Sequence, residues 1–343
     1  MKRLLNSLIL SAVMLVFLGG ALLPPAIASA AGTITLTYAN FPPPMTFPCV
    51  QMERWKTEVE RRTDGTIQVQ TFPGSTLLNP KNMFDGVVSG VADIGCLAMS
   101  YQPGRFPVSE AVDLPLGFTS AKAASLVLYD LIQYKHKPKE FEKVKIITLF
   151  TCPPTNFMTS KPVKCLEDLR GFEVRVPGTA VDMINRLGGT PVAMPMSETP
   201  DAIQKGVVKG IVSSMEILKD FNFAAYCPYA TLANMNVVTF AIVMNREKWD
   251  SLPDDAKTVI DDLRREQAVW TGEYVDGHVA EALEWAKKTY NHQVLELPES
   301  DAEKIPELLQ PMIDAYIKKV SEAGLDGEKI VEEVRNLRDK YQE

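Results

Sequence analysis

The chain has 343 residues, 46% of them apolar and 23% charged, with a formal net charge of −7. That balance fits a globular protein and excludes a disordered or low-complexity chain. Its acidity argues against general attraction to nucleic acid or anionic membrane, although a local cation in a closed cleft can still hold an anionic ligand.

The N-terminus reads as a targeting segment. Lys2 and Arg3 are followed by an apolar stretch from Leu4 to Leu23, then Pro24-Pro25 and the small triplet Ala28-Ser29-Ala30. Basic, then apolar, then small is the order of a secretory signal, so residues 1–30 are expected to be a cleaved signal peptide and the mature protein to be periplasmic. The apolar stretch is nearly long enough to span a bilayer, which makes a membrane anchor the competing reading. No cysteine near the cleavage site offers a lipid attachment point. Loss of Lys2 and Arg3 would take the net charge to −9. The five cysteines, Cys49, Cys96, Cys152, Cys165 and Cys227, have no CxxC spacing. They are expected to be mostly buried, small apolar residues rather than disulfides.

Along the chain, Thr33 to Ala39 alternates and predicts a strand. Met52, Trp55 and Val59 predict a helix closed by Thr63-Asp64-Gly65. Ile67 and Val69 predict a second strand, Asn79-Pro80 a helix start, and Ala92 to Gly95 the entry to a third strand. The alternation restarts after Lys145, with strands at Ile146–Phe150, Phe172–Val176 and Pro191–Met194. Helices are predicted at Ala180–Leu187 and Thr199–Val208. Val237 to Met244 is an apolar run suited to a strand buried on both faces. Asp254 to Tyr290 keeps one helical stripe over about 50 Å, longer than one small lobe. A short strand at Val294–Leu297 precedes another amphipathic helix, kinked at Pro311 and ended by Gly324. Strand–helix alternation indicates an α/β fold with a largely parallel sheet. With no repeat or loose linker, two lobes would be joined by strands.

Catalytic and metal motifs are missing. His136, His278 and His292 are not paired in sequence and read as surface residues. There is no GxGxxG, GxSxG or HExxH, so neither an enzyme nor a bound cofactor is expected.

The informative stretch runs from Glu167 to Gly178. Phe172, Val174 and Val176 alternate with Glu173 and Arg175, which puts Arg175 opposite the apolar trio. Val176-Pro177-Gly178 then ends the strand. An arginine at a strand's carboxyl end in an α/β lobe points at the crevice where such folds bind ligands, and its planar fork matches a carboxylate. The competing local reading is a surface pair of Arg175 with Glu173.

In this setting the chain resembles the extracytoplasmic solute receptors of tripartite ATP-independent periplasmic (TRAP) transporters, the DctP family. The resemblance begins at about Thr33 and covers Phe72-Pro73-Gly74-Ser75, Gly90 to Gly95, and Tyr101 with Phe106-Pro107. It continues through Asp113-Leu114-Pro115, Asp168-Leu169-Arg170-Gly171 with Val174 to Pro177, Pro195 to Glu198, Gly206 to Gly210, and Trp249 to Pro253. No single piece is specific; their order behind a signal peptide is. The resemblance implies a two-lobed periplasmic binding protein-like α/β fold, with mixed sheets flanked by helices and a long helix spanning both lobes. Lobe one would be 31–153 plus about 240–283, and lobe two 154–239 plus about 284–343. It implies capture of a small organic carboxylate by lobe closure and delivery to TRAP permease subunits in the membrane. Arg175 would grip the carboxylate, and Lys161 falls where the family has a second basic residue. The family's Asp-Gly-Gln-Glu-Asn run is replaced by Lys209 to Ser214, leaving Ser213 or Ser214 to stand in for an amide. Phe41 with Pro42 to Pro44, Tyr101, Met215, Phe221, Phe223, Tyr226 and Phe240 are expected around the cleft. They imply a ligand with a bulky apolar or aromatic body. Two other readings stay open: a periplasmic enzyme on a two-lobed scaffold, and a binding protein that feeds a sensor kinase.

Overall fold

A computed structural model describes residues 32–342. The expected signal peptide at 1–30 lies outside the described residues.

The first half opens with strand β1 (Ile34–Ala39), helix α1 (Phe47–Arg62) and strand β2 (Ile67–Phe72). Helix α2 (Met83–Val88), strand β3 (Ile94–Ala98) and the short helix α3 (Pro107–Glu110) follow. Then come α4 (Ala121–Asp130) and β4 (Val144–Thr151). The second half contributes β5 (Asn156–Thr159), β6 (Glu173–Val176), α5 (Val181–Arg186), β7 (Thr190–Ala193), α6 (Thr199–Gln204), β8 (Gly210–Ser213), α7 (Ile217–Asp220) and β9 (Tyr229–Leu232). The chain returns through β10 (Thr239–Asn245), α8 (Arg246–Asp250) and α9 (Asp254–Tyr290). It closes with β11 (Gln293–Glu296), α10 (Glu299–Ala302), α11 (Lys304–Glu322) and α12 (Gly327–Gln342).

Two mixed sheets result, ordered β2-β1-β3-β10-β4 and β11-β9-β5-β8-β6-β7. Mixed sheets are what the resemblance implies: β10 runs antiparallel to β3 and β4, and β5 antiparallel to β8 and β9, while the other pairings are parallel as strand–helix alternation indicates. Both reversals come from strands that begin or end at the crossings between the halves. β4 passes into β5 and β9 into β10, so the direction of each returning strand is set by the crossing and not by a helix hairpin.

Helix α9 spans both halves. Ile260, Leu263 and Val275 bury into the first sheet's core, whereas Ala286 joins the core of the second, with Leu283 and Trp285 packed against it. The crossing of α9 over α4 is tight. Asp276 accepts hydrogen bonds from the backbone N–H of Ala121 (2.7 Å) and Lys122 (3.0 Å), and the Ser120 side chain accepts from Ala123 N–H (3.2 Å). Together they satisfy donors that a helix start leaves without intrahelical partners. Helix α11 continues through Pro311, with Gly324 at positive φ just beyond it. Ile330, Val331, Val334 and Leu337 of α12 bury into the first core, and α12 packs on α4. The last helix thus sits with the first sheet, whereas the sequence reading grouped 284–343 with the second, because its apolar stripe is complementary to α4.

Candidate functional site

The cleft-facing ends of the second sheet are fixed by register. β6 and β8 run parallel with Arg175 opposite Ile211, and β5 runs antiparallel to β8 with Asn156 opposite Ser213. The carboxyl ends of β6 and β8 therefore share one edge with the start of β5. Val174 and Val176 bury into the core on one face of β6, which turns Arg175 to the other. Gly178 lets the chain after β6 approach the first half closely: a Cβ there would stand 2.9 Å from Pro103 Cγ and 3.1 Å from the Ser100 carbonyl.

Arg175 is 2% exposed. Its Nε donates to the Met194 carbonyl at 2.9 Å and its Nη2 to the Tyr101 hydroxyl at 3.2 Å. That hydroxyl also accepts from Met196 N–H at 3.0 Å. Tyr101 follows β3 in the first sheet, so these bonds cross the cleft. Glu173, the alternative partner, pairs instead with Lys209 at 2.7 Å. Among the described residues no carboxylate lies within ion-pairing distance of the guanidinium, which leaves a buried cation without its counter-charge.

Arg175 lines a partly open cavity of about 50 Å³ between the sheets. Phe41, Phe47, Tyr101 and Phe240 line it from the first half, and Ser213, Ser214, Glu216, Asp220 and Phe221 from the second. The aromatic side is internally braced. Phe41 meets Tyr101 edge-on at 5.7 Å, Phe47 meets Phe240 edge-on at 5.7 Å, and Phe240 stacks on Phe150 at 5.1 Å. Cys152 also lines the cavity; burial pushes its thiol well above the ordinary range, so it acts as a small apolar group. All five cysteines are free, and four are buried.

The sequence model for bacterial extracellular solute-binding proteins, family 7 (DctP), matches residues 40–319. The chain belongs to this family. Solved relatives agree. A TRAP periplasmic solute-binding protein from Desulfovibrio salexigens is 52% identical, with a TM-score of 0.82 over 90% of this chain and 97% of that one. That structure is an open complex with the C-terminus of a symmetry mate in the ligand-binding site. A TRAP solute-binding protein from Rhodoferax ferrireducens, in complex with copurified benzoate, is 26% identical, with a TM-score of 0.86 over 90% and 99% of the two chains. A marine metagenome TRAP solute-binding protein specific for aromatic acids, from an unidentified microbe, is 28% identical. It was solved with 3-hydroxybenzoate and has a TM-score of 0.86 over 91% and 100%.

In this receptor, six of the eight residues expected at the site line the cavity: Arg175, Phe41, Tyr101, Ser213, Ser214 and Phe240. Lys161 does not. Its side chain is exposed, and its carbonyl accepts from Thr159 Oγ1 at 2.7 Å. Thr159 pairs with Gly210, at the far end of β8 from Ser213, so Lys161 projects from the opposite edge of the sheet. Met215 is buried in the core with Met158 and Ile211, turned away from the cavity. Of the other expected aromatics, Phe221 lines the cavity, Phe223 is core and Tyr226 is exposed.

Sequence reasoning missed Phe47, Glu216 and Asp220. The spacing of Glu216 and Asp220, four apart around apolar Ile217 and Leu218, was an available signal. The surface reading of the histidines is also corrected. His278 and His292 are buried, and His136 bonds Glu333 at 2.6 Å. His278 is drawn inward by Asp220, whose carboxylate accepts from Nε2 at 2.7 Å and raises the imidazole's affinity for its proton. Burial lowers that of His292.

Proposed function

We propose that this TRAP solute-binding protein captures a small organic monocarboxylate with an apolar, aromatic-sized body, its carboxylate held by Arg175. The observation that carries the reading is the buried guanidinium without a counter-charge, at the edge of an aromatic-lined cavity. A carboxylate is the anion whose geometry fits a guanidinium fork, and bonds to a charged partner strengthen as water leaves. Ser213 and Ser214 supply further polar contacts. The benzoate and 3-hydroxybenzoate complexes of the two relatives support an aromatic body.

Capture works by closure. The lobes divide where the chain crosses between sheets, near 153/154 and 239/240, with α12 returned to the first lobe. Ligand contacts to Arg175 on one side and the aromatic wall on the other favour the closed arrangement over an open one. The bond between Arg175 and Tyr101 is the residue-level link that such closure would form. The protein acts outside the cytoplasm after export by its signal peptide. The closed receptor then docks on its membrane permease, and binding rather than turnover is its task.

Native mass spectrometry of the purified receptor, followed by a thermal-shift panel of organic acids, tests this. An aromatic or branched monocarboxylate should co-purify or raise the melting temperature most. If only small hydrophilic dicarboxylates stabilise the protein, the assignment of the ligand body is wrong.

A further inference from the structure

Two residues that line the second wall of the cavity carry buried carboxylate oxygens with no hydrogen-bond partner among the described residues. Glu216 is 2% exposed; its Oε1 accepts from the Ser214 hydroxyl at 2.7 Å, while Oε2 is buried with no hydrogen-bond partner among the described residues. The Asp220 side chain is 3% exposed; its Oδ1 takes the His278 bond, and its Oδ2 is likewise buried and unpartnered. Both residues line the same cavity as Arg175. Neither is bonded to the guanidinium, whose protein bonds go to Met194 and Tyr101.

The arrangement is held from behind. His278 stacks on Tyr274 at 5.6 Å, and its Nδ1 faces Glu281 at 3.4 Å. Asp220 is thereby tied to helix α9. A buried carboxylate oxygen left without a donor is costly, and one that lines a ligand cavity can recover that cost from the ligand.

We propose that Glu216 Oε2 and Asp220 Oδ2 form a second ligand subsite, which binds a hydrogen-bond donor, a hydroxyl or N–H, carried on the body of the carboxylate. This rests on the carboxylate reading and narrows it. The receptor then selects hydroxy- or amino-substituted monocarboxylates. It rejects dicarboxylates, whose second anionic head would face two acidic side chains. A site built to bond a donor discriminates strongly against the analogue that lacks it, because its own buried acceptors are then left unpaired.

Isothermal titration of the full mature chain with two matched series tests the proposal. One series is benzoate with its three monohydroxy isomers; the other is butyrate with its monohydroxy isomers. At least one hydroxylated acid should bind more than about tenfold tighter than its parent. Glu216→Gln and Asp220→Asn should each shrink that ratio severalfold. The proposal is overturned if each parent binds as tightly as all its hydroxylated forms, or if the ratio survives both substitutions. The wild-type ratio needs no variant to fold. If none of these acids binds, the carboxylate reading itself fails, and this inference with it. Parent binding without a hydroxyl gain overturns the subsite alone.

Discussion

The two walls of the cleft are built on opposite principles. The first-half wall is aromatic, and its rings brace one another: Phe47, Phe150 and Phe240 pack within 5.1–5.9 Å of each other. The second-half wall includes Phe221 but is incompletely paired, with Arg175, Glu216 and Asp220 buried there and each holding hydrogen-bonding capacity that no partner fills among the described residues. A braced aromatic surface is complete without a ligand and sets the shape that fits. An under-paired polar surface is complete only with one, and sets the grip and the choice among ligands of that shape. Fit to the first wall and bonding to the second are therefore separable, and each can be perturbed alone.

The largest effect tests the grip. Arg175→Ala should weaken binding of any carboxylate ligand by about 30- to 3,000-fold, since it leaves an anion buried without its partner. Lys161→Ala should change affinity less than about twofold, because an exposed side chain at the opposite sheet edge contributes little. Titration calorimetry on both variants checks the pair. Equal losses would place the second cation back in the site and undo the assignment of the polar wall.

The next effect exploits the cost that the polar wall carries. Burial raises Glu216 to about 7, and it raises Asp113 likewise to about 7 where that carboxylate accepts from Thr239 N–H at 2.9 Å beneath the crossing. For a carboxyl group raised in the folded protein, the stabilising contribution is complete below the ordinary carboxyl range. It is lost as pH rises to the folded value. Ligand-free receptor should therefore lose about 3 kcal/mol per such group between about pH 4.5 and pH 7. Glu216→Gln should remove its share of that slope, so the variant gains on wild type as pH rises. Urea melts at pH 5 and pH 8 measure this. A variant that tracks wild type at both values would mean that Glu216 is not the buried, costly acid described here.

How much of this was legible from the residues depends on how local each signal is. β1 and α9 follow their sequence patterns almost to the residue, because alternation or a helical stripe runs the full length of each, whereas α1 stops at its turn signal but begins at Phe47, ahead of the Met52–Val59 stripe. Arg175 was legible because its strand alternates and stops at Pro177-Gly178. β5, β8 and β9 were not: each has four residues, and β5 and β8 are buried throughout without alternation. Lys161 was placed at the site by resemblance alone, and the pairing of Thr159 with Gly210, invisible without β5, is what sets it at the opposite sheet edge. Glu216 and Asp220 drew no reading from the sequence. Their burial is created by α9, nearly sixty residues further on, whose His278 meets Asp220. The four-residue spacing could place the two on one face, but their burial is a tertiary fact.

The smallest effect asks whether the braced half is rigid down to single atoms, using two glycines of α9. Either one costs an exposed helix about 1 kcal/mol relative to alanine. At Gly272 a Cβ would stand 2.5 Å from Lys122 Cα and 2.8 Å from its backbone nitrogen, where α9 crosses α4. Backbone cannot swing aside as a side-chain tip can, so Gly272→Ala should destabilise the receptor by about 1–3 kcal/mol in spite of the helix gain. At Gly277 a Cβ meets nothing within 4 Å, although the neighbouring His278 props the polar wall. Gly277→Ala should therefore stabilise by up to about 1 kcal/mol and leave ligand affinity unchanged. Opposite signs in urea melts would show that the helix is locked on its aromatic side and free at its polar end. A stabilising Gly272→Ala would mean that α4 and α9 can part, and that the first wall is no more rigid than the second.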